Sequence, residues 1–142
     1  MSERTLTDVT ADALVVDRYR DFVAHSQAGA VVVFEGIVRD HDNGQTGVVE
    51  LEYEAHPSAA DVLRDVAWEV IADQPEVYLA IAHRVDATLA VGDCALVCAV
   101  SAAHRSQAFE VSQRAIDLVK KRLPVWKRQA FTDGREEWVN CP

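Results

Sequence analysis

Glycine and proline are scarce, at 6 and 4 in 142 residues, which disfavours disordered, collagenous and fibrous readings. Long apolar runs are missing too. Asp93 interrupts the most hydrophobic stretch, residues 87–103, well short of the ~20 apolar residues a spanning helix needs. The N-terminal MSERTLTD carries no apolar targeting core, so the cytoplasm is the expected compartment. Positive charge is the minority sign, with 14 Lys plus Arg against 23 Asp plus Glu and a net −9. That balance argues against nonspecific coating of a nucleic acid or an anionic membrane, and any anionic ligand must find a local exception. Cysteine is limited to Cys94, Cys98 and Cys141. On an extended strand Cys94 and Cys98 would share a face ~13 Å apart, too far for a bridge. Free thiols are expected, the first two as small core residues and Cys141 as a tail cysteine. Neither C-x2-C nor H-x3-H occurs, so no metal site is expected. The G-x-S-x-G elbow and the phosphate-loop Lys-Ser/Thr pair are likewise absent.

What is present is a globular composition, 49% apolar and 26% charged, of a length that suits one domain spanning residues 1–142. In residues 11–24, Val15, Tyr19, Phe22 and Val23 fall on one helical face. Residues 30–38 (AVVVFEGIV) read as a buried strand, with Gly36 marking a bulge or a close approach. After the polar turn HDNGQTG, residues 48–55 alternate as VVELEYEA, which predicts a hairpin between these two strands with a mobile tip. Ser58 followed by Asp61 resembles a capping box ahead of the stripe Ala59, Val62, Leu63, Val66, Ala67, Val70 and Ile71. Further strands are predicted over 76–84, 94–101 and 125–131 and near Trp138, with a turn at Gly92-Asp93 and a third helix over 104–122 that Pro124 stops. No repeat or linker intervenes, and the order predicts an α+β fold of three helices on a largely antiparallel sheet.

The acidic total conceals an asymmetry. Residues 104–128 hold seven bases (Arg105, Arg114, Lys120, Lys121, Arg122, Lys127, Arg128) against the acids Glu110 and Asp117, whereas the rest of the chain carries seven bases against 21 acids. The helix dipole explains Lys121 and Arg122 in a last turn. Lys120 shares a stripe with Arg105, Phe109 and Ile116, so it either snorkels past the core or lines a pocket. A lysine partly desolvated beside other cations becomes available as nucleophile or proton carrier. At the start of the same helix, His104 and Arg105 join free backbone N–H groups, either as a phosphate site or as an ordinary surface pair. Arg39, closing a strand, is by itself a plain edge charge or a functional one. In the strand after Pro124, Trp126 is expected to face the core and Lys127 the opposite side. Glu35, Glu52 and Glu54 read as outward carboxylates, and His83-Arg84 as a structural strand end.

Several stretches fit one family in order and spacing: Gly29-Ala30 with Phe34-x-Gly36-x-Val38-Arg39; Leu51-x-Tyr53-Glu54-Ala55; His83-Arg84 with Leu89 and Gly92-Asp93; Ser101-x-x-His104-Arg105-x-x-Ala108-Phe109; Asp117-x-x-Lys120; and Pro124-x-Trp126-Lys127-Arg128. Over roughly residues 28–139 the chain resembles the large, catalytic subunit of molybdopterin synthase, the MoaE family. That resemblance implies an α/β hammerhead fold with a small added β subdomain. It also implies a sulfur transferase that converts cyclic pyranopterin monophosphate (precursor Z) into molybdopterin. The donor would be the C-terminal Gly-Gly thiocarboxylate of a ubiquitin-like small subunit, in a heterotetramer built on a homodimer of large subunits. No resident cofactor or metal, no nucleic acid and no membrane is implied.

By matching position, Lys120 and Lys127 would be the catalytic lysines. Arg39, His104 and Arg105 would contact substrate, with Ile37, Val38, Arg128 and Gln129 in the same binding segments. In the implied division of labour, Arg39, His104 and Arg105 hold phosphate and pterin, Lys120 meets the thiocarboxylate carbon, and Lys127 assists charge or proton movement. Preorganised cations suit each task. Departures are Asp86 where glycine is usual, His56-Pro57 in place of an aromatic, and Gln129 where an acid is usual. Two other classes remain on these residues: a noncatalytic module gripping an acidic or phosphorylated ligand, and a small phosphate-ester hydrolase using His104 as acid and base.

Overall fold

A strand buried on both faces reads as an unbroken apolar run, and the most apolar stretch of this chain becomes the middle of its main sheet. The computed structural model describes residues 3–42 and 44–141, with side chains up to residue 139. Strand β8 (Cys94–Ala102) is flanked antiparallel by β2 (Ala30–Ile37) and β6 (Tyr78–Arg84). β1 (Thr5–Thr10) adds to β6 in parallel, giving the order β1-β6-β8-β2. β1 was not anticipated, because TLTDVT is half-buried throughout and carries no clean alternation.

The helices divide two against one. Leu96, Cys98, Val100 and Ala102 pack with α2 (Ala59–Ile71) and α3 (Arg105–Arg122) in the largest core cluster. Val97 and Ala99 face α1 (Val16–Val23) through Tyr19 and Val23 on the other side. Leu63, Val66, Val70 and Ile71 of α2 are buried as their stripe predicted, and each such side chain contributes roughly 1.5–3 kcal/mol. The capping box does not form: Ser58 Oγ lies 2.8 Å from His56 Nδ1 and makes no bond to the helix. α1 starts later than the pattern suggested, leaving Val15 exposed.

A second sheet of order β10-β9-β5-β7 comprises β5 (Val48–Ala55), β7 (Thr88–Ala90), β9 (Val125–Phe131) and β10 (Glu136–Cys141), all antiparallel. Its own small core joins Val48, Leu51, Leu89 and Phe131 to Val38 and Ala95 of the main sheet's end. The expected β2–β5 hairpin is absent. β2 pairs with β8 and β5 with β9 and β7, while the intervening residues form a two-stranded turn of their own, β3 (His41–Asp42) with β4 (Gln45–Thr46). Nor is β2 a buried strand. It is the edge of its sheet, and Val31, Phe34 and Ile37 are 39%, 36% and 48% exposed.

The glycine at 36 does mark a bulge. Gly36 pairs with Leu96 but Ile37 with Cys94, leaving Ala95 as the extra residue. The bulge reverses the side on which the strand's start projects. Cys94 packs in the α1 cluster and Cys98 in the α2/α3 cluster, on opposite faces rather than the common face expected. Both are free thiols; the Cys141 thiol lies outside the described side chains. Among the described residues, no helix is long and apolar enough to cross a membrane.

Candidate active site

Where the two sheets and the end of α3 meet there is a cavity of about 430 Å³. The β2 end contributes Phe34 to Val38 and then Arg39, β3 contributes His41 and Asp42, and α3 brings Val119 and Lys120. The second sheet supplies Leu51, Tyr53, Lys127 and Gln129, and His83 closes the wall from β6.

The register of β9 decides what enters the cavity. Val125, Gln129 and Phe131 are buried, so the alternation of a strand turns Lys127 inward with them. The expectation for this strand was inverted: Trp126 is 41% exposed, whereas the Lys127 side chain is 17% exposed. Hydrophobicity assigned the tryptophan to the core, but Trp126 joins none of the core clusters among the described residues, and the buried residues 125 and 131 set the phase. Opposite them, Tyr53 and Leu51 of β5 pair with Lys127 and Gln129 and line the same cavity.

Lys127 Nζ lies 3.5 Å from Asp42 Oδ2, and Arg39 Nη2 lies 3.5 Å from Asp42 Oδ1. Gln129 Nε2 donates to Asp42 Oδ2 at 2.9 Å. Burial works to raise the Asp42 pKa, but the Lys127 charge, the Gln129 and Lys127 donors and the Arg39 charge outweigh it, and the carboxyl sits below its ordinary value. Lys120 is exposed to the cavity and makes no hydrogen bond or ion pair among the described residues. Of the two expectations for this side chain, the pocket-lining one is observed.

His83, read from sequence as structural, forms part of the cavity wall. It is 4% exposed, its Nδ1–H donates to the Arg84 carbonyl at 2.9 Å, and its ring stands edge-on to Tyr53 at 4.7 Å. Burial, opposed by that carbonyl and reinforced by the Lys120 charge, pushes its pKa down to about 4. At neutral pH it is an uncharged imidazole, with Nε2 as an acceptor. A histidine ending a strand beside an arginine carried no signal for this.

The remaining residues separate. Val38 is buried and Ile37 half exposed on the cavity rim. Arg128 points to the opposite face of β9, where it meets Glu52 at 3.1 Å, Glu136 at 3.2 Å and Glu50 at 3.8 Å. Glu52 is therefore outward, as expected, while Glu35 lies on the cavity rim. His104 caps α3 with extended backbone, and Arg105 follows; both are exposed and neither lines the cavity. They sit at the opposite end of the helix from Lys120, ~22 Å away at 1.5 Å per residue. No group of three His, Cys, Asp or Glu side chains suited to a metal ion occurs among the described residues.

Three cations from separate elements thus converge on a cavity walled by Phe34, Leu51, Tyr53 and Leu96, an arrangement able to hold a flat, anionic small molecule and stabilise charge that develops on it. An α+β protein with a cation-lined cavity at a sheet-to-sheet seam is the class that fold and site define. The chain belongs to the MoaE protein family, whose sequence pattern matches residues 9–122. Molybdopterin synthase catalytic subunit 1 of Aedes aegypti is 39% identical over 134 residues, covering 92% of this chain and 85% of that protein. The crystal structure of molybdopterin synthase from Staphylococcus aureus superimposes with a TM-score of 0.84 at 31% identity, covering 99% of both chains. A chain from the protein-protein complex of subunits 1 and 2 of molybdopterin-converting factor from Helicobacter pylori shares the fold, with a TM-score of 0.70 at 20% identity over 96% of this chain and 88% of that one.

Proposed function

We propose that the protein is the catalytic subunit of a cytoplasmic molybdopterin synthase, acting as one unit over residues 1–142 and without a resident cofactor. It transfers sulfur from the C-terminal thiocarboxylate of a ubiquitin-like small subunit to precursor Z. Each transfer breaks the carbon–sulfur bond of the tail, whose carbon takes up oxygen and is released as a carboxylate, and forms a carbon–sulfur bond on the pterin side chain in place of a carbon–oxygen bond. Two such exchanges, with no change of oxidation state, complete the dithiolene. The observation that carries this reading is the convergence of Arg39, Lys120 and Lys127 on one cavity in a chain of the MoaE family.

Arg39, beside Ile37 and Val38, holds the phosphate and pterin. Lys120, which makes no hydrogen bond or ion pair among the described residues, meets the thiocarboxylate carbon and steadies the oxyanion of its tetrahedral intermediate. Lys127 assists movement of charge. Gln129 belongs to the same wall, and Arg128 supports the sheet from behind. His104 and Arg105 are too far along α3 to reach this cavity within one copy, and a second copy would bring them to it across a dimer interface. The open edge of β2 and the exposed Val31, Phe34 and Phe109 favour such a homodimer, the core of a heterotetramer with a small subunit at each end.

Purified protein mixed with a thiocarboxylated small subunit and precursor Z is expected to yield dithiolene product, and Lys120→Ala and Lys127→Ala to lose it. No product from the wild type, or an undiminished rate in both variants, would defeat the reading. A binding module would hold the ligand without turnover, and a hydrolase would act without the small subunit.

A further inference from the structure

One carboxylate in the cavity has no part in the roles above. Asp42 sits on β3, a strand of only two residues, yet its position is fixed from the core. Gln129, 1% exposed, has two amide hydrogens and spends both: one on Asp42 Oδ2 at 2.9 Å and one on Glu137 Oε1 at 3.2 Å. No donor of Gln129 is left for a ligand. Glu137 in turn accepts from Gln45 Nε2 at 3.4 Å, and Gln45 Oε1 accepts from Arg135 at 2.9 Å. The β3–β4 turn is thereby stitched to β10 from one side while Gln129 grips it from the other.

Around this fixed carboxylate stand Lys127 and Arg39, each at 3.5 Å. That is longer than the ~2.7–2.9 Å of a closed charge-assisted bond, and both cations also line the cavity. We infer that Asp42, locked by Gln129, is a positioning residue that holds Lys127 and Arg39 in working geometry, and that Gln129 serves the site through Asp42 rather than by touching substrate. The inference rests on the transferase reading for the importance of those two cations, but the geometry it invokes is a property of the resting protein.

A mere counter-charge would behave differently. Asp42→Asn keeps the shape, removes the charge and turns an amide toward a cation. If Asp42 only diluted the positive potential, the variant would bind the anionic substrate more tightly, with lower KM and unchanged kcat. Positioning requires instead that kcat fall by about tenfold, since small misplacements of reacting groups are costly, while KM stays level or rises through Arg39 and does not fall. Gln129→Met, which releases Asp42 without changing the charge, is expected to lower kcat similarly. The double variant is expected to be no worse than about twofold below the weaker single, because the two act through one path.

A second readout does not depend on turnover. Lysines are reductively methylated with carbon-13, and the Lys127 resonance is assigned by its loss in Lys127→Arg. Asp42→Asn and Gln129→Met are both expected to shift it. An unshifted resonance, a kcat within about twofold of wild type in Asp42→Asn, or losses that multiply in the double variant would each overturn the inference. A wild type that makes no product but whose Lys127 resonance shifts in both variants would count against the transferase reading and in favour of Asp42 as the residue that places Lys127. Asp42 lies on a short surface turn, so its variant decides the matter even if Gln129→Met fails to fold.

Discussion

His83, held uncharged in the cavity wall, ties the stability of the fold to pH. An ordinary histidine has a pKa near 6.5, and burial holds this one at about 4. As pH falls below 6.5, the unfolded chain takes up a proton that the folded chain refuses, so stability is lost with acidification and the loss is complete near pH 4. At pH 5 His83 is almost fully protonated in the unfolded chain and mostly neutral in the folded one, so the folded state loses about 2 kcal/mol relative to pH 8, a factor of about 30 in the folded-to-unfolded ratio. His83→Gln places an amide oxygen near the position of Nε2 and removes the titration. Urea unfolding of both proteins at pH 8, 7, 6 and 5 isolates the effect, because carboxylates and the other histidines are common to both. The wild type is expected to lose about 2 kcal/mol more than the variant over this range. Parallel loss in the two proteins would refute the claim that His83 is held neutral in the cavity wall.

Other expectations are simpler to check. Cys98, whose thiol burial pushes up to about 12, is expected to resist a disulfide reagent at pH 8 until the protein unfolds, whereas an alkaline-shifted but only partly buried Cys94 reacts sooner. Ser101 Oγ donates to the Val23 carbonyl at 2.6 Å and is fully buried; Ser101→Ala orphans the end of α1, and chemical denaturation is expected to show a cost of about 1–3 kcal/mol. A Cβ on Gly29 would overlap the Ala103 carbonyl oxygen, so Gly29→Ala is expected to lower the melting temperature through a backbone shift of about 1–3 kcal/mol.

Helices α2 and α3 and strand β8 were legible because each buries enough apolar surface to leave a periodic trace, and the basic segment 104–128 stood out because its charge opposes that of the chain. What was illegible concerns partners rather than elements. The alternation VVELEYEA marks a strand but does not say that β9, over 70 positions later, is its neighbour instead of β2. Periodicity also carries no phase when a strand mixes tryptophan with lysine: the buried Val125 and Phe131 turned Lys127 into the cavity and Trp126 out. Gly36 signalled a bulge or a close approach and the bulge is what forms, but its effect on Cys94 depends on which strand receives the extra residue. His83 and Asp42 were missed as site residues because their roles come from what the fold packs around them, burial in the cavity wall for one and the Gln129 amide for the other.

The cavity wall draws on residues from Phe34 to Gln129, so almost the whole chain must exist before the wall closes. During synthesis Arg39 leaves the ribosome 88 positions ahead of Lys127, and its sheet can form while the opposing one still lacks β9. Until that strand pairs with β5, no cavity exists to hold an anion, and closing so long a loop is a late event in folding. A chain that stops before β9 therefore lacks Lys127 and Gln129 and the wall they form, so it carries Arg39 and Lys120 without the third converging cation.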